Sequence, residues 1–407
     1  MDRNGPVRII SPYRGCSQTL MHTRGSSALQ WYTSRLVHEL RHYRNVGVIA
    51  QRSDTREPWS DDGINVAPSF DRGDVAVALQ IASAVRGNPG SVIHLQHELF
   101  AYGGALSAFT LPHALRAVRY ATRAIVTTVH GVIPLDAIDA TFVRSNAIRL
   151  QPRVVRPAWR ALIRSVCAAS DIVHVHEIEH RQILISQYGV TTPIECQPIG
   201  IDAPPSIDAV AARMRFDIDS RAHVVLFFGF LVERKGIVPL LESLEAMLAN
   251  DPDLVVVIAG SMPERVAQNE RLLTLLEKHS TNPRVVQLGF VADEDVEFIF
   301  AACDVLILPY TIAIAASGPM SIALGHGKPI LFSTVFAPSY PDAIGFFEPT
   351  TTGITRAVAT FFLSESLQRT LVEQSRSLAS RRTWHDVAAW CDQLYDRATD
   401  FRARTST

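Results

Sequence analysis

The sequence alternates short apolar runs with stretches of helical periodicity, and it does so twice. Val7 to Ile10 reads as a first strand. A polar stretch from Ser11 to Ser27 follows, then a helix over Ala28 to Tyr43 with Leu29, Tyr32, Leu36, Val37 and Leu40 at helical spacing, then a strand at Val46 to Ala50. Further strand-like runs are Ser91 to Gln96, Ala124 to Val129 and Ala169 to His176, the last leading into the helix HEIEHRQILISQYGV with Glu177, Glu179 and His180 in an exposed first turn. The stretch 197–205, QPIGIDAPP, gathers turn-forming and stiff residues. Beyond it the pattern restarts with Val224 to Phe230, a helix over Ile237 to Ala249, and strands at Leu254 to Ala259, Arg284 to Leu288, Val305 to Leu308 and Ile330 to Phe332. A last helix lies near Trp384 to Arg397. Strand–loop–helix–strand order demands parallel sheets with crossover helices, because parallel neighbours cannot be joined by a tight turn. The expected fold class is α/β, two parallel-sheet domains facing a cleft. The expected units are 1–203, 204–383, and a closing helix 384–407 that returns to the first domain.

The chain has 407 residues, which suits two domains. It is 47% hydrophobic and 19% charged, enough to fill two cores. A net charge of −1 gives no bulk attraction for polyanions, so nucleic acid is not an expected partner. The five cysteines, Cys16, Cys167, Cys196, Cys303 and Cys391, are scattered without a CxxC pair, the pattern of reduced core thiols. The first residues lack the apolar core of a signal peptide. No apolar run approaches the roughly 18 residues that span a bilayer. A cytoplasmic protein is expected, with peripheral membrane contact and a homo-oligomer as open alternatives.

The chemistry concentrates at strand ends. From Pro309 to Pro329 the chain reads PYTIAIAASGPMSIALGHGKP. An apolar strand runs into a small-residue loop, and Pro319 opens a helix whose first N–H groups are unpaired. Such a helix start suits a phosphate, although many strand–helix connections look alike. LVERKG, 231–236, sets Arg234 and Lys235 after another strand. A planar guanidinium and a point charge together answer the needs of a departing diphosphate. HELFAYGG, 97–104, places His97, Glu98, Gly103 and Gly104 at a strand end. A metal reading of His94, His97 and Glu98 is weak, since His94 and His97 project to opposite faces of one strand. His130-Gly131 closes a further strand, either reaching a pocket or bonding locally. Gly25 and Ser26 precede a helix and either touch an anion or cap it. Six arginines, at 144, 149, 153, 156, 160 and 164, occur without an acid between them. They form a basic surface for anionic lipid or an acceptor phosphate, or a solvated helix face paired with acids elsewhere. Pro152 and Pro157 argue against one uninterrupted helix there. The absence of GxxxxGK[ST], GxGxxG and GxSxG disfavours an ATPase, a dehydrogenase and an α/β-hydrolase.

These blocks, in this order, resemble family 4 glycosyltransferases. FFGFLVERKG resembles the family's FGFxxxxKG block, PIGID at 198–202 its interdomain PNGxD, and IHLQHELFAYGG at 93–104 its HxQHExxxxGG. TTVHG at 127–131 resembles its strand-end histidine block, SGPMSIALGHGKPI at 317–330 its donor loop and helix, and TWHDVAAWCDQLY its closing helix. The resemblance implies two Rossmann-like domains in the GT-B arrangement and a retaining transferase that takes a nucleotide-diphosphate sugar, normally without a metal or other cofactor. It implies catalytic roles for His130, beside the transferred sugar, and Lys235, on the diphosphate. It implies donor contacts from Gly25, Ser26, Arg234, Lys235, Phe290, Val291, Ser317, Gly318, Pro319 and Met320. The first domain, with His97, Glu98, Gly103 and Gly104, would take a sugar, lipid-linked or small-molecule acceptor. One departure stands out. The family usually carries two glutamates in the donor loop, and here Ala313 or Ile314 and Ser321 or Ile322 occupy those places. Two rivals to a hexosyltransferase therefore stay open: a catalytically degenerate binding subunit, and a nucleotide-sugar epimerase of the same architecture.

Overall fold

A computed structural model describes residues 5–15, 28–52, 56–98, 101–146, 148–203, 206–262, 269–380 and 382–405. Eight strands build the first sheet: β1 Val7–Ile10, β2 Val46–Gln51, β3 Trp59–Asp61, β4 Ile64–Phe70, β5 Val92–His97, β6 Ala124–Val129, β7 Ile172–Val175 and β8 Ile194–Cys196. Six build the second: β9 His223–Phe228, β10 Leu254–Ala259, β11 Val285–Gly289, β12 Val305–Leu308, β13 Ile330–Ser333 and β14 Phe346–Phe347. The orders are β3-β4-β2-β1-β5-β6-β7-β8 and β11-β10-β9-β12-β13-β14. Every pairing is parallel except β3 with β4. Helices cover both faces, which is why β2, β5, β6 and β7 are buried at every residue.

Several boundaries differ from the sequence expectation. The first helix is Ala28–Leu40, and the last runs on to Thr405. The second sheet has a sixth strand, Phe346–Phe347, too short to show a period. The helix Pro152–Ala168 is uninterrupted despite Pro157. Pro152 stands in its first turn, where no N–H partner is needed, and Pro157 forfeits a single backbone bond. The six arginines find no acids: none of them enters an ion pair among the described residues. The start of the helix Ile178–Ser186 is not exposed as a turn. His180 is buried, and the Tyr340 hydroxyl of the second domain donates to Glu177 Oε1 at 3.0 Å. The second domain covers this turn, which local periodicity does not report.

The terminal helix Trp384–Thr405 packs on the first sheet rather than the second. Trp384, Val387, Ala388, Cys391, Leu394, Tyr395 and Ala398 join Trp31, Tyr32, Leu36, Val37 and Leu40 in one core. The Trp384 ring lies edge-on to Trp31 and Tyr32, with centroids 5.2 and 5.3 Å apart. Arg44 anchors the helix through Asp392 and Asp396. Two chain segments cross between the domains and pair there: Ile201 N–H donates to Arg382 O at 2.7 Å, and Ile201 bridges Thr383. Among the described residues no helix is long and apolar enough to cross a membrane. Trp384→Ala removes a buried indole from this junction. It should cost about 3–5 kcal/mol of stability in urea unfolding followed by circular dichroism. A cost below about 1 kcal/mol would mean the returning helix is not part of the first core.

Candidate functional site

Each sheet has one place where the strand order turns back, between β1 and β5 and between β9 and β12. Loops leaving the strands on either side of such a point diverge and open a crevice beyond the strand ends. In the second sheet these loops are 229–236 and 309–317. They are tied together, because Arg234 O accepts from the N–H of Thr311 at 2.9 Å and of Ile312 at 3.3 Å. Gly236 has φ +72°, and a Cβ there would lie 1.6 Å from Pro309 O, so no other residue allows this approach. Ser317 caps the helix Gly318–Gly325, its hydroxyl accepting from Met320 N–H at 3.3 Å. That bond occupies Met320. The N–H groups of Ser317 and Gly318 make no hydrogen bond among the described residues.

The Lys235 ammonium lies beside this helix start. It stands 5.3 Å from the centre of the Tyr310 ring and forms no ion pair with a carboxylate among the described residues. A Cβ on Gly229, which has φ +121°, would come within 2.6 Å of Lys235 Nζ and 3.7 Å of Pro319 Cγ. The glycine is thus a bare floor between an ammonium and a helix N-terminus. Helix dipole, free N–H groups and the lysine charge all favour an anion at this point. Phe290, 47% exposed, follows β11 at the edge of the sheet, two strands from β9, whereas Val291 is buried in the core with Val296 and Phe300.

Gly25 and Ser26 lie outside the described residues. His97 is buried. Burial pushes the Glu98 carboxyl up to about 6, against the pull of Arg234 and Arg72, so the two domains bring Glu98 and Arg234 within each other's field. Gly103 and Gly104 shape the chain: Gly103 backs onto Gly73, and Gly104 starts the helix Ala105–Val118.

The end of β6 forms a seam with the donor-side loop. Gly131 bridges Ala315 in antiparallel fashion, and Val132 N–H donates to Ile314 O at 2.8 Å. Ile314 also packs on an apolar cluster of Ile133, Ile138, Val143 and Val155. The buried His180 ring lies near the backbone of Ala313. Of the two positions that hold alanine and isoleucine instead of a carboxylate, Ile314 docks the loop on the first domain and Ala313 packs on the second-domain core.

Beneath the seam lies a closed ring of buried polar groups that sequence reasoning missed. His94 Nδ1 meets the Tyr395 hydroxyl at 2.8 Å, and its Nε2 meets Thr128 Oγ1 at 2.7 Å. Thr128 Oγ1 lies 2.9 Å from His174 Nδ1. His174 Nε2 and His176 Nδ1 both lie 3.1 Å from Gln197 O. His176 Nε2 is 3.1 Å from His130 Nδ1, and the Gln96 amide joins His130 Nε2 at 2.8 Å to His94 Nε2 at 3.1 Å. A carbonyl only accepts, so His174 carries its proton on Nε2 and His176 on Nδ1. Thr128 then donates to His174, His94 donates from Nε2, Tyr395 donates to His94 Nδ1, and His130 donates from Nδ1 to His176. His130 Nε2 is left as an acceptor. The network closes with all four imidazoles neutral when the Gln96 NH₂ faces His130 and its oxygen faces His94. The orientation in the structure, Gln96 Oε1 on His130 Nε2 and Gln96 Nε2 on His94 Nε2, needs one imidazolium and leaves His94 Nε2 and Thr128 Oγ1 opposed as acceptors, so the hydrogen-bond network assigns the amide the other way round. Both ring nitrogens of His130 are thereby engaged, and its ring stands edge-on to Tyr32 with centroids 4.7 Å apart. The signal in the sequence was polar residues two apart on otherwise apolar strands, His94 with Gln96 and His174 with His176. Despite this density of histidines, no group of three or more His, Cys, Asp or Glu among the described residues is placed to hold a metal.

Residues 211–344 match the family of glycosyl transferases group 1. This segment holds β9 to β12, β13 and both crevice loops of the second sheet. The chain carries a glycosyl transferases group 1 domain within a GT-B fold. Sucrose-phosphate synthase from Thermosynechococcus elongatus superimposes with a TM-score of 0.74 at 17% identity, over 96% of this chain and 98% of that one. The α,α-trehalose 6-phosphate synthase from Burkholderia multivorans gives 0.69 at 13% identity, over 99% and 98%. Anabaena HepE in complex with UDP and glucose gives 0.69 at 14%, over 96% and 99%. No curated protein matches the sequence.

The buried imidazoles make a prediction about acid. Burial pulls His94 down to about 3 and His97, His174 and His180 to about 4, and it holds His130 and His176 well below their ordinary value. The unfolded chain takes up these protons below about pH 6.5 and the native chain does not, so their contribution to stability is lost as pH falls from about 6.5 towards 4. Glu98, raised to about 6, and Glu177, raised by burial to about 7, act in the opposite sense. Their contribution is full below about 4.5 and is lost as pH rises through 6 and 7. Near pH 5 the histidines outweigh them. Unfolding should then take up on the order of four protons, read from the pH dependence of the unfolding free energy. An uptake below about one proton would mean that these imidazoles titrate in the native state.

Proposed function

We propose that the protein is a retaining glycosyltransferase of the family 4 type. It moves a hexose-type unit from a nucleotide-diphosphate sugar to an acceptor hydroxyl, without a metal. The observation that carries this reading is the bare Gly229 floor between Lys235 Nζ and the start of the helix Gly318–Gly325. A diphosphate seated there has its charge met by Lys235, with Arg234 from the same turn, and by the N–H groups of Ser317 and Gly318. Stabilising that leaving group is the main demand of the chemistry, since the bond to the anomeric carbon breaks as the diphosphate departs. In this reading the first domain holds the acceptor near His97 and Glu98. His130 acts as a fixed wall below the sugar, because its nitrogens are bound to Gln96 and His176. Anabaena HepE is described with UDP and glucose, so UDP-sugars are the first donors to test.

A specific observation favours a second reading, a binding subunit without turnover. Ile314 is docked on the first domain and Ala313 packs on the second-domain core, so neither position brings a carboxylate to the sugar. Incubation with a panel of nucleotide sugars and acceptors separates the two. Acceptor-dependent nucleotide release supports transfer, isomerised sugar supports an epimerase, and binding without either supports the subunit. Lys235→Ala should lower transfer by about 10²–10³ while leaving the fold intact. Near-normal turnover in that variant would remove the diphosphate from this crevice.

A further inference from the structure

The helix Pro152–Ala168 presents a face that the fold does not use. Val155, Leu162, Ile163, Val166 and Cys167 form its buried side. Arg153, Arg156, Arg160 and Arg164 project from the same helix into solvent, with Arg144 and Arg149 just before it, and all six are exposed. No acid occurs from Ala140 to Ser170. Arg156 Nε donates to Ile138 O at 2.9 Å and Arg160 Nε to Tyr188 O at 3.5 Å, contacts that orient the guanidiniums without neutralising them. The nearest preceding acids are used locally: Asp136 accepts from Ala137 N–H at 3.0 Å, and Asp139 caps a helix by accepting from Phe142 N–H at 2.8 Å. Arg156, Arg160 and Arg164 follow one another at single-turn spacing, an arrangement that destabilises a helix by itself. Beside these charges two apolar side chains face outward, Leu150 at 57% and Val154 at 48% exposure.

The place of this face matters. The helix runs back from the end of β6 towards the start of β7, so its first turns lie at the cleft end of the sheet. Val155 shares an apolar cluster with Ile314 of the loop across the seam. The arginines and the two apolar residues of the N-terminal half therefore flank the mouth of the cleft.

We propose that this face seats the protein on an anionic lipid bilayer. Arg149, Arg153 and Arg164 meet lipid phosphates, and Leu150 and Val154 enter the boundary between headgroups and acyl chains. Electrostatic attraction and buried apolar area together hold such surfaces on membranes. A nucleic-acid backbone would engage the arginines but offer Leu150 and Val154 nothing. The docked protein turns the cleft mouth to the membrane, where an acceptor hydroxyl borne by a lipid can enter. The docking itself does not depend on the transfer reading.

Co-sedimentation of the full chain with phosphatidylcholine vesicles, with and without phosphatidylglycerol, tests this. The protein should bind only the anionic vesicles, and less as salt rises. Arg149, Arg153 and Arg164 make no hydrogen bond or ion pair among the described residues, so their exchange leaves the fold alone. Arg149→Glu, Arg153→Glu and Arg164→Glu together should lower vesicle partitioning by about 100-fold or more, and the corresponding Gln exchanges by less. Leu150→Ser with Val154→Ser should keep binding at low salt and lose it at moderate salt. Three outcomes overturn the proposal: no binding of the parent to anionic vesicles, undiminished binding of the triple Glu variant, or vesicle binding that an oligonucleotide abolishes and the serine exchanges leave unchanged. The last would make the face a polyanion site rather than a bilayer site.

Discussion

The cleft depends on one short seam, the pairing of Gly131 and Val132 with Ile314 and Ala315. Each sheet could fold its crevice alone, because strand order sets where the loops diverge. The seam joins the two crevices, and the Tyr340–Glu177 bond and the paired crossing segments at Ile201 hold the domains beside it. The seam uses backbone groups, which must find partners when buried, and it adds the apolar contact of Ile314. The loop that positions the helix start at Ser317 is thus held from both sides. On one side Arg234 O accepts from Thr311 and Ile312, and on the other the end of β6 receives it. Small residues serve this loop well because backbones approach closely there.

The ring of histidines beneath the seam explains how the strand ends stay rigid while carrying so many polar groups. Burying a polar atom without a partner is costly, and the ring leaves its imidazole nitrogens none to spare. It also links distant parts of the chain. Tyr395 belongs to the returning helix, Gln197 to the segment entering the second domain, and His130 to the cleft wall. Domain connection and cleft wall therefore share one set of protons. The neutral form satisfies Gln197 O from two sides at once, and burial opposes the charged alternative.

Much of the architecture was legible in the sequence. Apolar runs a few residues long, separated by helical periods, required parallel sheets, and the strand ends gathered the glycines and cations. The hairpin of β3 and β4 was legible in principle, since Asp62-Gly63 is a two-residue turn signal between strands, yet the runs beside it are short. The unbroken helix Pro152–Ala168 was not legible, because a proline's cost depends on which carbonyl it deprives and whether water can reach it. The burial of His180 and Glu177 was not legible either. A helix's exposure depends on what lies over it, and here that is Tyr340 from 163 residues further on.

The sequence by itself determined the fold class, the location of Lys235 and Ser317 in loops after strands, and the charge of the arginine stretch. These are local properties, set by period, residue type and spacing. Only the tertiary structure decided that Lys235 stands over Gly229, that Glu98 lies within the field of Arg234, that His130 has both nitrogens engaged, and that Ile314 docks a loop. Each of these joins residues from different strands or different domains. No local pattern encodes such pairs, because they arise from which sheet faces meet and how far the two domains close.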